Sequence, residues 1–221
     1  MISIHSLRLR KVFSRLSQLR SIYIQTENTP NPNSMKFLPG QEVLPESQGT
    51  GMFFSSITDK QTKNSPFAIK LFQIPGVKGV FFGKDFITIT KEHTFSWNVI
   101  NPIIFSAVFD FLSSGKPVVN GSDVVTDTTV LETDDEIVAT IKELLETRIR
   151  PAVQEDGGDI FYVDFDVPTG VVKVRLAGSC VGCPSSSVTL RNGVEKMLMH
   201  YIPEVKGIEE APAEDGECTK H

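Results

Sequence analysis

Gly178-Ser179-Cys180-Val181-Gly182-Cys183-Pro184 holds two of the chain's three cysteines, separated by two residues. A thiolate is the soft ligand that iron-sulfur clusters, zinc and copper(I) select, and this spacing lets both sulfurs converge on one metal or on neighbouring metals. The same spacing serves a dithiol that cycles to a disulfide. The segment falls between a run that alternates like a strand and a run of helical periodicity whose first turn holds Pro184 and Ser185 to Ser187. Unpaired N–H groups and the positive dipole end at such a helix start lower a thiol pKa and stabilise a negatively charged cluster. Gly178 and Gly182 permit backbone conformations and a close approach that a side chain would obstruct. A pair of inert core cysteines is the plainest alternative, and the glycines and the helix start speak against it.

Two thiolates are a deficit, because zinc or a cluster usually takes four ligands. No second CxxC occurs, and Cys218 lies in a polar tail rich in Glu, Asp and Gly. His200 sits near the far end of the following helix, about 25 Å from Cys183 by helix rise. Two chains meeting about a two-fold axis would offer four thiolates, enough for a 4Fe-4S cluster held at the interface. Separating them removes half the ligands, which suits a carrier better than an electron-transfer protein. Intermolecular zinc and a thiol-disulfide oxidoreductase stay open on spacing alone. Lys173, Arg175 and Arg191 are candidates to stabilise an anionic site or to dock a client protein, with a solvated charged face as the alternative. His93, beside Glu92 in a loop after a strand, reads as a solvated histidine.

The elements around the motif follow from periodicity. Thr133-Asp134-Asp135-Glu136 spells a capping box, and Ile137, Ile141, Leu144, Leu145 and Ile149 share one helical face. Pro151 is expected to kink or end that helix. Gly157-Gly158 turns the chain into a half-buried strand in which Phe161, Val163, Phe165 and Val167 alternate against Tyr162, Asp164 and Asp166. Pro168-Thr169-Gly170 turns it back, and Val172, Val174 and Leu176 alternate with Lys173 and Arg175. Leu190, Val194, Met197, Leu198 and Tyr201 mark a second amphipathic helix, and Val205 to Ile208 a last short strand. The order is α-β-β-α-β.

Upstream, extended runs at Met35 to Leu38 and Met52 to Ile57 precede Ser65-Pro66, a favoured start for a helix through Phe72. Val77 to Phe82 and Phe86 to Thr90 form a hairpin about Gly83-Lys84-Asp85. Ile100, Ile103, Ile104, Ala107, Val108, Phe111 and Leu112 then keep one apolar helical face, closed by Gly115. Between the halves, Ser113 to Asp134 is small, polar and weakly periodic. This first part holds twelve of the fifteen phenylalanines and no catalytic constellation, so a protein-docking or regulatory role is expected of it. A short echo, Ile74-Pro-Gly-Val-Lys-Gly-Val and Ile202-Pro-Glu-Val-Lys-Gly-Ile, follows a helix and leads into a strand in both halves.

The class is α+β in two small domains, at 25–115 and 133–210, joined by a linker at 116–132 and followed by a polar tail at 211–221. Length (221 residues) and apolar content (40%) suit a real core, and no run of about 20 apolar residues is present to span a membrane. Arg8, Arg10, Lys11, Arg15 and Arg20 precede the first acidic residue, Glu27, so the net charge of -5 conceals an acidic remainder. Leu9, Val12, Phe13 and Leu16 share a helical face in that leader, the look of a mitochondrial transit peptide over 1–24, removed near Arg20 to Thr26. The acidic remainder has no basic cluster with interleaved aromatics, which argues against nucleic acid as a partner. Three cysteines form no disulfide framework and suit a reducing matrix.

Arg150-Pro151, Gln154 to Asp159, Gly178 to Ser186 and Ile202 to Val205 together resemble the C-terminal domain of the NifU/Nfu family. Thr29-Pro30-Asn31-Pro32-Asn33, Met35-Lys36-Phe37, Phe53-Phe54 and the stretch from Asp110-Phe111 to Gly115-Lys116-Pro117 resemble the N-terminal domain that accompanies it in mitochondrial Nfu scaffolds. The resemblance implies a non-enzymatic protein that accepts or assembles 4Fe-4S clusters and delivers them to apoproteins of the mitochondrial matrix, such as lipoyl synthase and respiratory-complex subunits. It implies Cys180 and Cys183 as cluster ligands, a homodimer bridged by the cluster, and other assembly factors, including A-type carriers, as partners. Cys218 has no counterpart in the family's motif.

Overall fold

The computed structural model describes residues 23–121, 127–131, 134–182 and 186–211, with side chains of Glu46 and 186–189 left aside. The basic leader, Cys183 and the tail with Cys218 therefore lie outside the described residues, as do Thr133 and part of the linker. No helix of the described residues is long and apolar enough to cross a membrane.

Five antiparallel strands form the first sheet in the order β1-β2-β5-β4-β3. They are β1 (Gln25–Asn28), β2 (Ser34–Leu38), β3 (Gly51–Phe54), β4 (Val77–Gly83) and β5 (Ile87–Lys91). Helices α1 (Lys60–Lys63), α2 (Pro66–Phe72) and α3 (Trp97–Ser113) complete this part. Strand alternation sends Phe37, Val80, Phe82, Ile87 and Ile89 to a core shared with Phe67, Ile104 and Phe111 of the helices. Ser65 caps α2 by accepting the Ala68 N–H at 3.0 Å. That start holds Phe67 in a stack with Phe111, at 4.3 Å, and with Phe82, at 5.1 Å. Strand β1 carries no apolar alternation because all four of its residues are exposed at the sheet edge, so periodicity does not reveal it.

The second part is a mixed sheet, β6 (Gly158–Asp166), β7 (Val171–Gly178) and β8 (Gly207–Glu210), with β6-β7 antiparallel and β7-β8 parallel. A parallel pair needs a crossover, and α6 (Ser186–Tyr201) supplies it. Ahead of the sheet run α4 (Glu136–Leu144), a five-residue π turn (Leu145–Ile149) and α5 (Arg150–Glu155). The architecture is α+β in both parts.

Local geometry departs from the periodic reading in several places: Ile103, Met197 and Tyr201, expected on apolar helical faces, are exposed, and the extended run expected over Met52 to Ile57 ends at Phe54. In β6 the pairing slips between Tyr162 and Asp164, so Val163 is an extra residue and the inward set changes hand. Ile160 and Tyr162 face the helices before the bulge and Phe165 after it, while Val163 and Val167 are 40% and 62% exposed. Pro151 neither ends nor breaks the helix, because the π turn precedes it: the Arg150 N–H reaches back to Leu145 O and the widened turn accommodates the missing donor. The α4 N-cap is Asp135 and makes no side-chain cap bond; Asp134 instead accepts from Leu131 N and Lys142 Nζ. Strand β8 starts at Gly207 because Ile202 and Val205 are spent in the core. The two echoed turns close alike, with Val77 N–H to Ile74 O at 3.2 Å and Val205 N–H to Ile202 O at 3.1 Å, yet Gly76 alone takes a positive φ.

The two parts are docked. The face of the first sheet turned away from α2 and α3 presents Phe81 and Phe86, which form a buried cluster with Ala177 and draw in Phe53 and Phe161. Lys36, 8% exposed, donates to Gln154 O and Glu155 O, each at 3.2 Å, placing a cation at the C-terminal end of α5. Gln154 Nε2 returns a bond to Thr50 O at 3.2 Å.

Arg150, only 2% exposed, ties helix, sheet and linker together. Its Nε donates to Asp159 Oδ1 at 3.0 Å, its Nη2 to both Asp127 oxygens and to Ile160 O, and its Nη1 to Thr128 Oγ1 and Glu146. Asp127 also accepts from Tyr162 N at 2.7 Å, which straps the linker to β6. Burial raises the Asp159 pKa to about 6 in spite of the opposing pull of Arg150. A carboxyl whose folded pKa exceeds its unfolded value favours the folded state at acid pH, and that contribution is lost as pH rises through the folded value. Relative to Asp159→Asn, the parent chain should therefore lose on the order of 2 kcal/mol of stability between pH 4 and pH 6. Urea unfolding of both chains across that range measures it, and parallel pH profiles would refute it.

Candidate metal centre

Strand β7 delivers the chain to Gly178, whose φ of +64° turns it sharply into Ser179-Cys180. Cys180 N–H reaches Ala177 O at 3.4 Å and Val181 N–H reaches Gly178 O at 3.3 Å, so the loop is wound tightly on the strand end. Gly182 takes a second left-handed φ of +70°. Both glycines are thus used for the backbone freedom their type supplies.

Opposite this loop, Gly157, with φ of +77°, ends the turn after α5, and Gly158 starts β6 paired with Gly178. The sulfur of Cys180 lies directly over Gly158: a Cβ there would stand 2.3 Å from Sγ and 3.0 Å from Ala177 O. A Cβ on Gly178 would meet Gly157 O at 2.7 Å. Ser179 fastens the two turns, its Oγ donating to Asp156 O at 2.7 Å and its N–H to Gly157 O at 3.2 Å. Cys180 is left 5% exposed, against the core of the second domain.

Beside Cys180 opens a groove of ≈480 Å³. Ile149, Ala152 and Val153 line one wall, Leu190, Val194 and Met197 another, and Arg148, Asp156 and Pro30 also border it. A thiol therefore sits at the edge of a recess whose walls are largely apolar.

The other residues singled out in the sequence do not join Cys180. Lys173 pairs with Asp164 at 3.8 Å, Arg175 lies over the Phe161 ring at 5.4 Å, and Arg191 donates to Ile208 O at 2.7 Å. His93 and His200 are exposed. Cys183 is in sequence reach of Cys180 but outside the described residues. Asn31 and Arg150, which shape the site, carry no chemical signature in the sequence and figure there only within the motifs of a resemblance, while Gly158 is legible as part of a turn but not as the floor under a sulfur. Asn31 Nδ2 donates to Ser179 O and to Val181 O, each at 3.1 Å, from the other domain.

Residues 24–115 match the family described as "Scaffold protein Nfu/NifU N terminal", and residues 141–209 match the "NifU-like domain". The chain is 50% identical over 200 residues to "NifU-like protein 5, mitochondrial" of Arabidopsis thaliana, spanning 90% of this chain and 71% of the relative. It is 52% identical over 191 residues to "NFU1 iron-sulfur cluster scaffold homolog, mitochondrial" of Drosophila sechellia, spanning 86% of this chain and 65% of the relative. Among solved structures, the solution structure of a NifU-like protein from Saccharomyces cerevisiae is 32% identical and covers 44% of this chain and 84% of that one, with a TM-score of 0.40.

The contact of Sγ with Gly158 makes a specific prediction. Gly158→Ala should destabilise the chain by about 1–3 kcal/mol, since an added methyl in a filled space displaces its neighbours. Combining it with Cys180→Ala should recover at least half of that loss, because the sulfur is the nearest obstacle. Urea unfolding of the single and double variants decides, and additive losses would place the obstacle at Ala177 O instead.

Proposed function

The chain belongs to the NifU/Nfu family, and from that membership together with the Cys180 loop we propose that it is a mitochondrial iron-sulfur cluster scaffold and carrier rather than an enzyme. Its cargo is a 4Fe-4S cluster held between two copies of the chain, each lending the thiolates of Cys180 and Cys183, and delivered to apoproteins in the matrix. Lipoyl synthase and respiratory-complex subunits are the clients the family suggests, with other assembly factors as donors.

The observation that carries the proposal is the setting of Cys180. It stands at the end of β7, in a loop bent by two glycines in left-handed conformation, ahead of α6 and at the edge of an apolar groove. Thiolate ligands suit iron and sulfide, and a helix start favours an anionic cargo. The similarity to the Drosophila sechellia relative, an iron-sulfur cluster scaffold homolog, supports the same assignment. With two ligands per chain, cargo release needs only separation of the copies, a property that suits delivery. The leader, through import, would bring the chain to its clients.

Anaerobic reconstitution followed by size-exclusion chromatography tests this. We expect about two iron and two sulfide per chain, in a dimer, with spectroscopy excluding a 2Fe-2S cluster on each chain. Cys180→Ser should abolish both iron and sulfide. Stoichiometric zinc without sulfide, or a metal-free chain that readily forms a Cys180 to Cys183 disulfide, would overturn the proposal in favour of a structural-metal or redox role.

A further inference from the structure

The first domain reaches the ligand loop through one side chain. Asn31 is 3% exposed and its Nδ2 donates to the carbonyls of Ser179 and Val181, the residues on either side of Cys180, each at 3.1 Å. Its Oδ1 accepts the Asn33 N–H at 3.0 Å, so both ends of the amide are engaged. The turn that presents Asn31, between β1 and β2, is itself fixed. Thr29 Oγ1 donates to Asn31 O at 2.9 Å and to Ser34 O at 3.0 Å, and Trp97 Nε1 donates to Pro32 O at 3.1 Å. Pro30 from the same turn borders the groove beside Cys180.

This clamp opposes what a ligand must do. A thiolate that grips a cargo shared with a second copy has to stand at the surface, whereas Cys180 is 5% exposed with its sulfur over Gly158. Bringing the sulfur out turns the peptide units of residues 179–181, whose carbonyls hold Asn31. Two hydrogen bonds from the buried Asn31 amide would then be broken.

We infer that Asn31 is a positioning residue through which the first domain shelters Cys180, and that opening this contact is what exposes the thiol for cargo. The domain is thereby a regulatory cover on the ligand loop, with access to Cys180 coupled to domain docking. The inference rests on the assignment of Cys180 as a ligand, but its test needs no iron.

In the full apo chain carrying Cys183→Ser and Cys218→Ser, Cys180 is the sole remaining cysteine of three. Its rate of alkylation by iodoacetamide reports exposure. Asn31→Ala should speed that reaction about tenfold, and Asn31→Asp, similar in shape but without an N–H to donate, should speed it at least as much. Trp97, the only tryptophan, reports folding of the first domain by its fluorescence under the same conditions. Acceleration in both variants with native Trp97 emission establishes the clamp. An unchanged rate in both, acceleration by Ala alone, or acceleration accompanied by loss of native emission overturns it. Should the clamp be established while the chain with Cys180 and Cys183 both present binds no iron and sulfide on reconstitution, the carrier function would be refuted with the clamp left in place.

Discussion

Everything near the cysteine loop depends on the sulfur of Cys180 lying against bare backbone. Sγ occupies the space where a side chain at position 158 would begin, so the residue opening β6 has to be glycine. A Cβ on Gly178 would in turn crowd Gly157 O and Gly158 Cα, so the end of β7 and the turn after α5 can approach this closely only with glycine there. The glycines that bracket the cysteine in sequence and those that face it in space therefore serve different ends. Gly178 and Gly182 supply left-handed φ values for the loop, and Gly178 shares with Gly158 the close approach of two strands.

That close approach is held in register by a buried ionic cluster. A guanidinium surrounded by three carboxylates gains little net stability over an apolar replacement, because desolvation offsets most of the attraction. Its value is geometric. Arg150 starts α5, Asp159 lies in β6 next to Gly158, and Asp127 belongs to the linker, so the planar donor fork sets helix, strand and linker at fixed distances. The π turn just ahead of it gives the chain room to present Arg150 inward with Pro151 as the following residue. An uncharged core could hold the same helix on the same sheet but would not define the angle at which Gly157 enters the site.

Much of this was legible beforehand, for physical reasons that vary along the chain. Helices α3 and α6 and strand β7 announce themselves because each buries a stripe against one layer with a period of 3.6 or 2, although Ile103, Met197 and Tyr201 of the helical faces stand exposed. Cys180 is legible because thiols at that spacing have few purposes. Strand β6 misleads, since one inserted residue at Val163 reverses the alternation and no local residue preference marks a bulge. Strand β1 is silent because an exposed edge strand held by backbone bonds needs no apolar residues. The roles of Asn31 and Arg150 are invisible because they depend on partners 148 and 22 residues distant along the chain. Pairings of that length leave no trace in a periodic pattern.

The first sheet shows why the two domains belong to one device. Helices cover one of its faces, and on the other Phe81 and Phe86 meet Ala177, one residue before the turn that leads to Cys180. An antiparallel sheet can leave one face to water, yet here that face carries phenylalanine and a nearly buried Lys36 aimed at the end of α5. Such a surface would be costly to expose on a free domain, so docking is favoured by apolar burial, while its polar contacts converge on the α5 turn and the cysteine loop. Apolar burial is indifferent to small sliding, whereas the paired bonds from Asn31 are not. The hydrophobic contact thus holds the domains together, and the hydrogen bonds decide which loop conformation that contact permits.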